Sequence, residues 1–345
     1  TADHHQNDYV TFHKISMMKK NPVHVFESIP LGDIDLEDRL TDFSLGPVSD
    51  TLLRSIETIG VTHPVMLVPA NKRYRIACGH RRAGVSSQLG NMKIPAQILD
   101  TSTDEETMLS VNLVENQAHR KYTDVEKGLI LEKLWRAGAS PNDIIKKYMP
   151  MLELERSKKL LDDYSGVKRL SPKLRTLLHE GNIPLRTFSI FFRWDAKNLS
   201  AVEKLFAVLR PGANKWKDLL EWIDETATRD EIAPAEVIEA EEIQSALFED
   251  GLAPNVRYER VRLALHSRRY PMLNDLRKRL ARALDELKLD DRTRVHIQDS
   301  FESDEIRIEL KFRTREQLVG QVEKLARACG SNALDELIRI FHEPK

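Results

Sequence analysis

The chain has 345 residues, of which 41% are hydrophobic and 31% charged, with a formal net charge of -1 and a pI near 6.8. That length suits two or three domains with buried cores, and the near-neutral balance excludes a uniformly basic nucleic-acid coat while leaving room for local basic patches. The two cysteines, Cys78 and Cys329, form no disulfide framework or zinc spacing, no apolar run reaches membrane length, and the first residues lack a signal-peptide core, so the expectation is a cytoplasmic protein with no membrane partner.

Residues 1–22 are polar and read as a flexible tail, in which His4 and His5 are incidental rather than metal ligands. Val23 to Leu31 alternates and reads as a strand. Leu36 to Gly46 is mixed and reads as a loop or irregular helix. Asp50 to Ile59 places Leu52, Leu53, Ile56 and Ile59 at helical spacing, with Ser49 or Asp50 as N-cap and Gly60 as the stop. Pro64 to Val68 reads as a buried strand, Asn71-Lys72 as a turn and Tyr74 to Ala77 as a second strand. A helix then opens at Gly79-His80-Arg81-Arg82 and runs through Gln88. Ile94 to Leu99 reads as a strand, Glu105 to Glu115 as a helix, and Thr123 to Ala137 as another that Gly138 ends.

From Ser140 to about Glu225 the reading is helical. Ser140-Pro141 opens one helix, with Pro150 beyond its end; Leu152 to Tyr164 is a second; Ser171-Pro172 opens a third, which ends near Gly181. Short helices with brief turns suit a helix-turn-helix bundle. Ala227 to Pro254 is acidic and reads as a connector or solvated helix, and Val256 to Arg269 carries Arg257, Arg260, Arg262, Arg268 and Arg269, a local basic stretch. Leu273 to Leu289 is an amphipathic helix. Arg294 to Gln298 and Glu305 to Phe312 read as a hairpin with Ile306, Ile308, Leu310 and Phe312 on one face, and Arg315 to Cys329 and Ala333 to Phe341 close the chain as helices. That sheet is too small to be stable alone, so a dimer interface is expected there.

Two stretches carry chemistry. Glycine at a strand-to-helix turn lets backbone approach a ligand, helix N-terminal amides point at anions, and paired arginines add phosphate donors, so Gly79-His80-Arg81-Arg82 proposes a phosphate site. Downstream lies Asn112-Leu113-Val114-Glu115-Asn116-Gln117-Ala118-His119-Arg120, where a carboxylate beside a carboxamide suits a hard cation such as magnesium at a nucleotide phosphate, and Arg120 adds a cation.

These two stretches, with Ile29-Pro30-Leu31-Gly32-Asp33-Ile34 and Gly60-Val61-Thr62-His63-Pro64-Val65, resemble the ParB family of CTP-dependent DNA clamps over roughly residues 23 to 185. The terminal helix-hairpin-helix is similar to that family's dimerisation domain. The resemblance implies an α+β chain: a tail (1–22), a ParB/sulfiredoxin-like nucleotide-binding domain (23–137), a helix-turn-helix DNA-binding domain (138–226), a charged linker or helix (227–269) and an α-β-β-α dimerisation domain (270–345). It implies CTP and Mg2+ as cofactors. Gly79, His80, Arg81 and Arg82 would sit at the triphosphate, Glu115 and Asn116 at the magnesium, Arg120 near the phosphates, and Thr62 and His63 close to the nucleotide. Glu115 and His80 would serve slow hydrolysis, a weak CTPase activity. Arg156, Lys158, Lys159, Lys168 and Arg169 would contact DNA, and the partners would be DNA, a second copy of the chain, and a ParA-like ATPase or other protein. The role would be plasmid or chromosome partition or a related nucleoid or regulatory function. The alternative is a ParB-like nuclease or a nucleotide-sensing defence or mobile-element protein whose helices bind a protein partner.

The sequence departs from the family pattern in three places. His80 stands where the family loop commonly has glutamate. His119 takes the usual arginine slot, with Arg120 one position later. The recognition-like helix, Leu154 to Tyr164, sets its basic Arg156, Lys158 and Lys159 among Glu153, Glu155, Asp162 and Asp163. Cys78 precedes Gly79, whereas the catalytic cysteine of sulfiredoxin follows the glycine, so Cys78 reads as a small buried residue.

Overall fold

A computed structural model describes residues 25–117, 119–289, 291–296 and 306–342. The tail with His4 and His5, and the hairpin's turn, lie outside the described residues. The chain divides into two compact units, Thr1–Leu220 and Glu221–Lys345.

The first unit opens with a four-stranded sheet. Strands β1 (Val25–Pro30), β2 (Val65–Ala70), β3 (Arg73–Cys78) and β4 (Lys93–Ile98) lie in the order β1-β4-β2-β3. β1 runs antiparallel to β4, and β2 antiparallel to β3, while β2 and β4 are parallel with Val65 opposite Ala96. The parallel pair needs a crossover. Helix α2 (His80–Gln88) supplies it, while α1 (Asp50–Ile59) precedes β2 with Ser49 as its N-cap. Alternation along the strands splits the core. Leu67, Ile76, Ile94 and Ala96 pack with Ala83 of α2, and Val68 and Ala77 pack with Met108 of α3 (Glu105–Gln117).

The helical layer starts at α4 (Asp124–Arg136). Thr123 and Glu126 form its capping box, and Gly138 at φ 97 follows its end. Helix α5 (Pro141–Asp143) leads into a π-helical turn, Ile144–Tyr148, and then into α6 (Met149–Met151). Pro150 therefore lies inside helical backbone, not beyond its end. The widened turn, in which Met149 N–H reaches Ile144 O, accommodates a proline that brings no N–H of its own. The helix expected over Leu152 to Tyr164 is shorter, α7 (Lys158–Ser165). Leu154 N–H returns to Met149 O with Glu153 left-handed at φ 57, which ends α6, and Ser157 caps a fresh start. α8 (Pro172–Glu180), α9 (Leu185–Phe188), α10 (Ala196–Leu209) and α11 (Ala213–Asp230) follow. α4 packs closely on the end of α7 and the turn after it: a Cβ on Gly128 would lie 3.0 Å from Tyr164 O of α7 and 2.6 Å from Val167 in the turn that follows.

In the second unit, the stretch read as a charged linker or helix folds as α12 (Pro234–Ile238), α13 (Glu241–Phe248) and α14 (Pro254–Arg269), with Val237, Ile243, Leu247, Val261 and Leu265 buried. The basic stretch is largely consumed internally. Arg260 meets Glu249, Arg262 meets Glu259, Arg268 meets Glu242, and Arg269 meets Glu225. Helix α15 (Pro271–Glu286), the hairpin β5 (Thr293–His296) and β6 (Arg307–Leu310), α16 (Arg315–Cys329) and α17 (Asn332–His342) complete the unit. Ala283 and Leu337 meet in its small core, while Phe312, Val319 and Val322 stay about half exposed.

Candidate functional site

The end of β3 runs into α2 through Gly79, at φ 109 and ψ 22. A side chain is excluded there on two counts. The backbone is left-handed, and a Cβ would lie 2.7 Å from Val65 Cγ1. The turn and the first residues of α2 line a cleft of about 220 Å³. One wall is Thr41, Asp42, Phe43 and Ser44 with Leu52 of α1; the other is Cys78 to Arg82, Asn112, Asn116 and Arg120.

Gly79, His80, Arg81, Arg82, Asn116 and Arg120 thus converge on one cleft from separate parts of the sequence. Thr62, His63 and Glu115 do not line it. Thr62 and His63 are exposed before β2, hydrogen-bonded to each other at 3.2 Å, and Glu115 is exposed on the last turn of α3.

The convergent side chains differ in what they have left to offer. Arg82 turns inward, donating to the carbonyls of His63 at 2.5 Å and Pro64 at 2.9 Å, and so pins the Thr62–His63 turn to α2. Arg81 makes one long contact, 3.5 Å to Gly46 O, and its Nε is buried with no partner. Arg120 is delivered despite its late position: after α3 its N–H bonds Asn116 O, and its guanidinium donates to Ser44 Oγ at 2.9 Å and Glu126 Oε1 at 2.5 Å. Tyr122 lies 4.9 Å beneath that guanidinium, and burial pushes its phenol up to about 12. Asn116 donates to Asn112 O at 2.8 Å and Oδ1 at 2.9 Å, which leaves its carbonyl oxygen as the end available to a cation.

His80 Nε2 lies 2.9 Å from Asp38 O. A carbonyl only accepts, so Nε2 carries the proton and Nδ1, buried with no partner, is an acceptor. Burial lowers the imidazole pKa, although the Asp38 carbonyl and nearby carboxylates work the other way. His80 therefore enters the cleft as a neutral ring, not a third cation. Cys78 is buried against Asn116 and Arg82, and burial raises its thiol pKa, so it is a poor nucleophile.

Asp38 anchors the front wall. Burial works to raise its carboxyl pKa, but Arg75 at 2.6 Å and the Leu40 N–H outweigh it and hold the group below its ordinary 3.8. This contribution is present above the ordinary value and lost as pH falls through the lower folded one. Asp38→Asn is accordingly expected to lower the urea midpoint at neutral pH and to flatten its fall below about pH 4. An unchanged acid limb would show that Arg75 does not hold the loop.

The wall residues Thr41 to Ser44 and Asn112 were not foreseen. Asn112 was legible as the residue one helical turn before Asn116; the loop carried no comparable signal.

The exposed basic candidates are spread over the helical layer. Arg156 is in the turn before α7, Lys158 and Lys159 open α7, and Lys168 and Arg169 sit in the 3-10 turn Gly166–Arg169. Arg169 donates to Phe192 O at 2.6 Å. Of the acidic residues, Asp162 and Asp163 remain on α7, while Glu153 and Glu155 precede it.

Comparison with known proteins was informative for the first unit. The ParB N-terminal domain family matches residues 16–117. A probable chromosome-partitioning protein ParB of Coxiella burnetii is 23% identical over 136 residues, 39% of this chain and 44% of that protein. The chain therefore spans less than half the length of this curated relative. Two solved structures are similar at low identity. A C-terminally truncated ParB of Caulobacter crescentus complexed with CTP-γ-S is 16% identical, covering 52% of this chain and 97% of that one at a TM-score of 0.21. A Pnob8-like ParB-N domain is 12% identical, covering 71% and 99% at a TM-score of 0.36. Superpositions this loose decide nothing about the architecture. The family match falls on the sheet and on most of the residues that wall the glycine-led cleft, so residues 16–117 are similar to the ParB N-terminal domain.

Proposed function

We propose that the chain is a CTP- and magnesium-dependent homodimeric DNA clamp acting in plasmid or chromosome partition, with slow CTP hydrolysis. The observation that carries this reading is Arg81: a guanidinium whose Nε is buried without a partner, beside a left-handed glycine at a helix N-terminus. A buried donor left unmade is costly, and an anion in the cleft would satisfy it. Arg120 supplies a second cation on the same wall of the cleft. The choice of CTP over other triphosphates rests on the ParB N-terminal domain match over residues 16–117.

Magnesium fits in a limited sense. Among the described residues no group of three or more His, Cys, Asp and Glu is assembled to hold a metal. The Asn116 carbonyl would give it one oxygen inside the cleft, and Glu115, exposed outside the cleft, would give a second once its side chain turned in, with phosphate oxygens completing the shell. Bound there, it would screen the triphosphate's charge and polarise the terminal phosphate. Glu115 and the Nδ1 acceptor of His80 are the candidate groups for orienting the water. DNA contact is assigned to Arg156, Lys158, Lys159, Lys168 and Arg169. Dimerisation is assigned to the last helices and hairpin, where half-exposed Phe312, Val319 and Val322 support it. A ParA-like ATPase would be the cognate partner. The presence of Asp162 and Asp163 on the same helix as Lys158 and Lys159 favours a second reading, in which the helical layer binds a protein rather than an operator.

The test is titration of the full chain with CTP, ATP, GTP and UTP in magnesium, repeated with Arg81→Ala. The expected result is preferential CTP binding that weakens about tenfold or more in the variant, the usual cost of a hydrogen bond to a charged group. Binding that R81A leaves untouched would sink the reading. Nicking of DNA with magnesium alone would support a nuclease instead.

A further inference from the structure

The front wall of the cleft is a loop, residues 36–46, whose backbone is held mainly by side chains of other elements. Its inner half is fixed by residues other than the cleft's arginines. Lys133 of α4 donates to Arg39 O and Asp42 O at 2.6 Å each, and Asn112 donates to Thr41 O at 3.1 Å. Its outer end is gripped from within the cleft, by Arg120 at Ser44 Oγ and by Arg81 at Gly46 O. Both acceptors are neutral, and the Gly46 contact is long. A phosphate oxygen carries charge and makes stronger, shorter bonds to guanidinium than a hydroxyl or a carbonyl does. On the reading that this cleft takes a triphosphate, the ligand and the outer end of the loop compete for the same two arginines.

We propose that Ser44–Gly46 is a displaceable strap. Its neutral acceptors stand in for phosphate oxygens at Arg120 and Arg81 and are released when a triphosphate takes their place, while residues 39–42 stay anchored. The strap has a contact ready to feel that release. A Cβ on Gly46 would lie 3.2 Å from His179 Nε2, so the last turn of α8 abuts the strap. The other ring nitrogen, Nδ1, lies 3.1 Å from Thr123 Oγ1, the N-cap of α4. Movement of Gly46 therefore frees a face of the histidine that bridges α8 and α4.

The test uses the full chain, with inorganic tripolyphosphate and CTP, each with magnesium, as probes. Ser44→Ala removes the acceptor that Arg120 must give up. It is expected to bind both probes about three- to tenfold more tightly than wild type, part of the worth of a charge-assisted hydrogen bond at a partly solvated site. In wild type, saturating tripolyphosphate is expected to raise hydrogen exchange over residues 43–47 and leave 39–42 unchanged. Unchanged or weaker binding by S44A, or exchange over 43–47 that does not respond, overturns the strap alone. A wild type that binds neither probe sinks the triphosphate reading, and the strap with it.

Discussion

Gly79→Ala is expected to lower the stability of the first unit by about 2–5 kcal/mol and to abolish anion binding in the same step. Two costs add. A residue with a side chain at φ 109 leaves its allowed region, and the new Cβ meets Val65 Cγ1 at 2.7 Å. Val65 has nowhere to move, being fully buried and paired with Ala96 in the centre of the sheet. Relief would come from shifting the β3–α2 turn, which moves the first residues of α2, Arg81 among them, away from the cleft. A urea titration followed by circular dichroism reads the stability, and calorimetry with tripolyphosphate reads the site. A variant with wild-type midpoint and affinity would show that the turn is not what shapes the cleft.

The second large effect concerns Arg120 and Glu126. Glu126 is a nearly fully buried carboxylate that receives Arg120 at 2.5 Å and Thr123 N–H at 3.0 Å. Arg120→Ala leaves that charge buried without its counter-ion. The expected cost is about 3 kcal/mol, the low end for breaking a buried pair because Arg120 is partly solvated. Adding Glu126→Gln removes the orphaned charge and retains an amide oxygen for the capping bond, so R120A/E126Q should be more stable than R120A although it carries two changes. The measurement is the urea midpoint of wild type, both singles and the double. A double variant less stable than R120A would mean that Glu126 serves chiefly as a cap. Neither variant is expected to bind triphosphate well, since both lack the second cation of the cleft.

Much of this was legible because it is local. Gly79, followed by His80 and two arginines, specifies a left-handed turn, a helix start and cations within four residues, and Ser49, Thr123, Ser140 and Ser171 mark helix starts by their own hydroxyls. What the pattern hides is the assignment of each cation. Arg81 and Arg82 are adjacent and chemically alike, but they point to different sides of α2, and only packing against His63 and Pro64 reveals that Arg82 is already engaged. Residues 36–46 hide more. Their structure depends on Arg75, His80, Asn112, Arg120 and Lys133, all distant in sequence, so no local periodicity could announce that this loop walls the cleft. Pro150 failed for the opposite reason. The rule that proline ends a helix is local, and the π-turn that relaxes it is set by the burial of Ile144, Tyr148 and Met149.

The grip of Lys133 on Arg39 O and Asp42 O has a consequence for how this protein can be divided. The family match stops at residue 117, which invites a fragment ending there. Such a fragment would lose Lys133, the Glu126 that holds Arg120, and Tyr148, whose hydroxyl donates to Glu106 at 2.5 Å and pairs with Ser110 at 2.8 Å. The cleft would keep its glycine and Arg81 but lose the supports of its front wall. The family match ends with the sheet and α3, yet the contacts that shape the cleft extend into the helices behind it.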